Sequence, residues 1–184
     1  MATLTGIPRQ AYKGIGGLKY VLLANFSDLV VVTDVSTGYV NFLIDSSTGP
    51  VTPANTPFKK FVMTKESADF TVTATGNIPA GTTSYAHTLK LVFAKNEAVK
   101  RNAVKIMGNS ELIAVAVTRN QDASSNYVAW VLGAENGLDM TTAVSGSGTA
   151  VGDLNGPTIT LSGNQIDPEG CIDQATLVSI TPTS

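Results

Sequence analysis

The stretch TAVSGSGTAVGDLNGPTITLSG, residues 142–163, holds five glycines and raises the question of a phosphate cradle. A dinucleotide fingerprint needs G-x-G-x-x-G after a strand and at the mouth of a helix, so that backbone N–H groups can close on the pyrophosphate. Here Gly146 and Gly148 are followed by Gly152, one position late, and then by PTITLSG, whose β-propensity opposes a helix. A Walker-type lysine is missing too, since no Lys or Arg follows Arg119. The glycines read more simply as a flexible hairpin loop between LDMTTAV and TITLSG. Asn155-Gly156 closes it, and Asn136-Gly137 is a second dipeptide suited to positive φ.

The other reactive residue types are sparse. DLNG (153–156) shares D-x-N-G with calcium loops, but the remaining ligands and the closing Glu are absent. Cys171 and His87 are the single cysteine and the single histidine, 84 positions apart. A lone thiol provides no disulfide framework and reads as a small, half-buried structural residue. His87 falls with Leu89, Leu91 and Phe93 on one face of YAHTLKLVFA (85–94), which predicts a packed, neutral, hydrogen-bonded ring. No second His or carboxylate cluster beside it suggests a metal. Paired carboxylates at informative spacing, G-x-S-x-G and H-E-x-x-H are all missing, so the reading is a non-enzyme with no catalytic residue, cofactor or metal.

Composition points to β-structure. The 184 residues include 37 Ser and Thr, only 14% are charged, and mean hydropathy is +0.15. So little charge suggests a surface partly covered by neighbouring subunits. The net charge of −2 conceals a split: residues 1–119 carry 12 basic and 7 acidic groups, and residues 120–184 carry 7 acidic groups and no basic one. Copies that pack side by side could set one sign against the other. MATLTGIPRQAYKGIGG lacks the apolar core of a signal peptide, and apolar runs of about five residues are too short for a membrane span.

The elements are strands separated by turns: 18–24, 29–34, 39–45, 58–64, 68–75, 85–94, 111–118, 126–133 and 171–180, besides those flanking the glycine stretch. In ADFTVTAT, Phe70, Val72 and Ala74 face one way and Thr71, Thr73 and Thr75 the other, as in a half-exposed antiparallel strand. ELIAVAVT and NYVAWVLG form a hairpin across RNQDASS. One helix is expected at about 96–107, with Asn96 as N-cap, Gly108 as its stop, and Val99, Ala103, Ile106 and Met107 as the apolar stripe. STGPVTPANTP interrupts the pattern with three prolines. The chain therefore reads as one mainly-β domain with an N-terminal arm (about 1–16), a proline-rich loop or arm (46–57) and a C-terminal extension (164–184).

Three segments, GGLKYVLLAN, AVKRNAVKIM and NGLDMTTAVSGSGTAVGDLNG, carry a resemblance spanning roughly residues 14–163. The chain resembles structural tail proteins of tailed bacteriophages and related prophages, notably those of Bacteroides-type hosts. The resemblance implies a tail-tube-like antiparallel β-sandwich or half-barrel with one helix. It implies a virion protein, assembled in the bacterial cytoplasm, whose rings join their inner sheets into a barrel through which DNA leaves. The implied partners are further copies, other tail proteins and DNA that passes without specific binding.

Within that frame, Glu135, Asp139 and Asp153 are candidate lumen-facing acids, since an acidic lining repels phosphates and no counterion-release affinity develops. Lys100, Arg101 and Lys105 form a basic helix face expected to meet acidic groups from residues 120–184 on another copy, or on a sheath or adjoining tail protein, so reversing Lys100 and Arg101 should impair assembly and spare the monomer. The proline-rich segment is a candidate inter-subunit arm. An alternative is a host- or carbohydrate-binding β-sandwich of a tail tip or fibre, with Trp130 and the tyrosines stacking on sugar, although Trp130 alternates in phase with Val128 and Leu132 as a core residue would.

Overall fold

The computed structural model describes residues 15–33, 39–44, 51–77, 79, 81–122, 124–150 and 152–182. The elements in chain order are β1 (Leu18–Asn25), a single 3-10 turn, β2 (Leu29–Thr33), β3 (Val40–Ile44), β4 (Lys59–Val62), β5 (Ala68–Asn77) and β6 (Thr82–Val92). Helix α1 (Ala98–Met107) follows, then β7 (Leu112–Gln121), β8 (Tyr127–Leu132), β9 (Asp139–Gly146), β10 (Gly156–Gln165), β11 (Gly170–Ile172) and α2 (Gln174–Ile180). The fold is mainly β with antiparallel sheets, as the alternating patterns predict.

Two sheets form a sandwich: a five-stranded sheet in the order β11-β8-β7-β1-β4 and a four-stranded sheet in the order β5-β6-β10-β9. Between them lies a core that includes Val21, Leu23, Ala114, Ala116 and Leu132 from the first sheet and Leu89, Leu91, Ile159 and Leu161 from the second. Midway along β6, His87 meets Gly133 just after β8; past the strand's C-terminal end, Phe93 packs on Phe61 of β4, ring centroids 5.9 Å apart. The strands of the four-stranded sheet therefore run across the five-stranded sheet from its β8 side to its β4 edge, a crossed packing.

The five-stranded sheet is buried on its other face as well. There Leu22, Ile113, Val115, Val117, Ala129 and Val131 meet Phe42 of β3, Phe58, and Leu177 and Ile180 of α2. The hairpin β2–β3 and helix α2 thus make a third layer. This explains ELIAVAVT: β7 is the middle strand, apolar without alternation because both of its faces are covered.

Several local expectations change. Residues 171–180 form β11 and a second helix, α2, in place of a strand; Asp173 caps the helix by accepting from the Thr176 N–H at 3.0 Å. The described residues therefore hold two α-helices, where one is expected. The N-cap of α1 is Glu97, and Asn96 instead donates to the Ser145 hydroxyl. Its inward face is Ala103, Val104 and Met107, while Val99 (80%) and Ile106 (56%) stand exposed. Gly108 ends the helix in an ordinary right-handed conformation, its N–H bonded to Val104 O.

Of the expected N-terminal arm only Ile15 and Gly16 fall among the described residues. Residues 46–50 also lie outside them. Residues 51–57 pack against their own domain: Val51 is buried, Thr52 and Asn55 close a turn, and Thr56 Oγ1 donates to Ile180 O at 2.8 Å. The expected C-terminal extension supplies Ile172, Leu177 and Ile180 to the core.

Candidate functional site: a hydroxyl-rich sheet face and an acidic cavity

The period of two that sends Leu89, Leu91, Ile159 and Leu161 inward sends their neighbours to the opposite face of the four-stranded sheet. Strand register arranges these as rows: Thr71, Thr88, Ser162 and Asp139 in one; Asp69, Lys90, Thr160 and Thr142 in the next; Val92, Thr158 and Val144 beyond. The face is open to solvent, its charged members in those rows being Asp69, Lys90 and Asp139, with Asp69 directly opposite Lys90. Sequence alternation reveals Thr71, Thr73 and Thr75; that Thr88, Thr158, Thr160 and Ser162 share their surface follows only from the pairing. The face is bordered by edge strands β5 and β9.

Asp139 is the one expected lumen acid in these rows. Asp153 lies beyond the far end of β9, roughly 24 Å away at the rise of a strand. Its carboxylate accepts the Thr149 and Ala150 N–H groups at 2.8 and 2.7 Å, which holds it below the usual carboxylate range and closes the loop. The glycine stretch is accordingly a tied turn, with Gly148 at φ 72°. The Asn155-Gly156 expectation is corrected: Gly156 opens β10 without a positive φ, whereas Gly137 has φ 65°. Among the described residues no group of three or more His, Cys, Asp or Glu could hold a metal ion.

Glu135 belongs to a different place, a cavity of about 520 Å³ whose lining includes His87, Glu135, Gln165, Asp167, Glu169 and Cys171. Gln165 builds its wall: Oε1 accepts from the Glu135 and Asn136 N–H groups, both at 3.0 Å, and Nε2 donates to Gly137 O at 2.9 Å. Glu135 in turn accepts from the Ile166 N–H at 2.7 Å. The pairing of β6 with β10 and of β11 with β8 thus brings His87 and Cys171 to one cavity, which spacing alone does not show. Burial pushes the Cys171 thiol up, the reverse of the activation a nucleophilic cysteine needs.

His87 is 1% exposed. Its Nδ1 accepts from the Gly133 N–H at 3.3 Å, so in the neutral ring the proton sits on Nε2, which has no hydrogen-bond partner within bonding geometry. Burial lowers its pKa below the ordinary histidine value, against the opposing pull of the Asp167 backbone and of the Glu169 and Glu135 charges. Below about pH 6.5 the unfolded chain takes up a proton that the buried ring resists. This contribution to stability is therefore present above pH 6.5 and is lost as pH falls toward the folded-state pKa. Denaturant midpoints at pH 7.5 and 5.5 should show that loss, and His87→Gln should remove the part due to this group.

The basic face of α1 is divided. Lys100 turns back to donate to Ala94 O at 2.5 Å and Lys95 O at 3.1 Å and pairs with Glu97 at 3.6 Å, so it caps its own loop. Reversing it is therefore expected to disturb the monomer, contrary to the expectation from sequence. Arg101 and Lys105 are exposed. Trp130 is half-buried on β8, paired in register with Ala116 and Cys171, and is absent from both core clusters. No helix of the described residues is long and apolar enough to cross a membrane. No family model, curated protein or solved structure matches the chain.

Proposed function

We propose that this chain is a virion structural protein that self-assembles into rings forming the tail tube of a tailed bacteriophage, a conduit for DNA ejection. The observation that carries the reading is the hydroxyl-rich, sparsely charged sheet face bordered by two edge strands. An edge strand presents a row of backbone donors and acceptors, and pairing β5 of one copy with β9 of the next satisfies them around a closed ring. The joined faces line a lumen of threonine and serine, with Asp139 adding negative charge and Lys90 lying opposite Asp69. Such a lining gives DNA few cations to exchange for its counterions, so it passes without binding. Helices, hairpin and other loops are left for contacts with further copies and other tail proteins, and assembly takes place in the host cytoplasm before incorporation into the virion tail.

Electron microscopy of purified protein, at concentrations up to the millimolar range, is the direct test. Rings or stacked rings with a central channel are expected. Replacing Ala143 on β9 with proline, at an exposed position whose N–H points away from β10, should leave a folded monomer without rings. A protein that stays monomeric throughout and contributes no ring to a virion would sink the reading.

A further inference from the structure

Two surface patches lie at opposite edges of the five-stranded sheet and differ in both charge and shape. At the β4 edge, α1 and β4 frame adjacent grooves of about 400 and 240 Å³. Their apolar surface is continued by Val99 and Ile106, which are 80% and 56% exposed. Lys59 and Lys100 line these grooves, whereas the Lys60 ammonium turns to the other face of β4, 4.6 Å from the Tyr20 ring centroid; Arg101 and Lys105 stand on the outer side of the same helix, and Asp28 is the acid in the lining. At the β11 edge the converse is found: Ile166, 68% exposed, projects between Gln165 and Asp167, with Glu135 and Glu169 beside it. The bond from Ile166 N–H to Glu135, together with the three bonds of the buried Gln165, holds this knob in place before any contact forms.

We infer that the Ile166 knob of one copy seats in the α1–β4 groove of a second copy, with Asp167 and Glu169 set against Lys59. Charge complementarity selects the occupant, because every Lys and Arg of the chain precedes residue 120 and the residues beyond it carry acids alone. The grooves and the acidic cavity share no lining residue, so one copy can use both patches at once. Such a head-to-tail contact propagates instead of closing a pair. It adds copies along the direction of the β6 strand, whereas pairing of β5 with β9 adds them sideways; the inference rests on the ring reading and supplies the contact that stacks one ring on the next.

Charge exchange tests it, read by sedimentation velocity and negative-stain microscopy at low and high salt. Lys59→Glu, and separately Asp167→Lys with Glu169→Lys, should each weaken stacking at least tenfold and leave single rings. Combining all three should restore stacks. Ile166→Glu should also abolish stacking, with Ile166→Ser as the milder variant; the site is exposed, and circular dichroism checks that the monomer is folded. If the wild-type protein forms stacked rings and every one of these folded variants stacks equally well, the contact is wrong while the ring reading stands. If the wild type forms no ring under any condition, the ring reading fails, and so does this contact.

Discussion

Replacing Phe58 with alanine is expected to destabilise the domain by about 3–5 kcal/mol, among the largest losses a single truncation can cause here. Phe58 is fully buried and meets Phe42 of β3 edge-on, with ring centroids 5.1 Å apart and planes at 73°. It sits where the loop after Val51 enters β4, between the five-stranded sheet and the layer formed by β2–β3 and α2. Its removal takes away the transfer free energy of the ring and leaves a cavity that three separate elements would have to collapse into. Urea unfolding should show the loss as a lower midpoint at nearly constant slope. Phe58→Leu should recover more than half of it. A loss below about 1 kcal/mol would mean that the third layer is not packed as described.

Gly156→Ala is the second large effect, and it lies in the glycine-rich stretch 142–163. A methyl group at Gly156 would fall far inside van der Waals contact with the Phe93 carbonyl oxygen, a backbone atom that cannot swing away. That carbonyl belongs to the point where β10 leaves its turn beside β6, and the Phe93 N–H donates to Pro157 O at 2.9 Å. Separating the strands there should cost at least the upper part of the roughly 1–3 kcal/mol typical of overpacking. Gly146, across the same hairpin, has open space around its Cβ direction and no positive φ, so Gly146→Ala should change stability by less than about 0.5 kcal/mol. Thermal unfolding of the two variants side by side separates close approach from mere glycine content.

Much of the strand layout can be read directly from the residues. Period-two alternation in ADFTVTAT and the unbroken apolar run of ELIAVAVT both correspond to real strands, and the turns between them carry Gly, Asn and Asp. The second helix is harder to see because DQATLVSI mixes β-branched residues into a single short amphipathic turn pair. Its signal is the Asp173 cap followed by Leu177 and Ile180 three positions apart, weak until packing against the first sheet favours it. The outward placement of Val99 and Ile106 could not come from periodicity either, since helical spacing gives the same phase to a core stripe and to an exposed flank. Sites fare worse than elements. The hydroxyl face and the cavity joining His87, Glu135 and Cys171 are products of pairing between distant strands, and Lys100 was legible as a charge but not as a cap.

Strand β7 is the wall that both interiors share. Leu112, Ala114 and Ala116 face one interior, and Ile113, Val115 and Val117 face the other. Neither interior can loosen without exposing one side of this strand, so the two cannot melt in succession as separate subdomains would. A lesion under the α2 layer is thereby felt on the hydroxyl-bearing side of the molecule, and that face is only as rigid as the interior farthest from it.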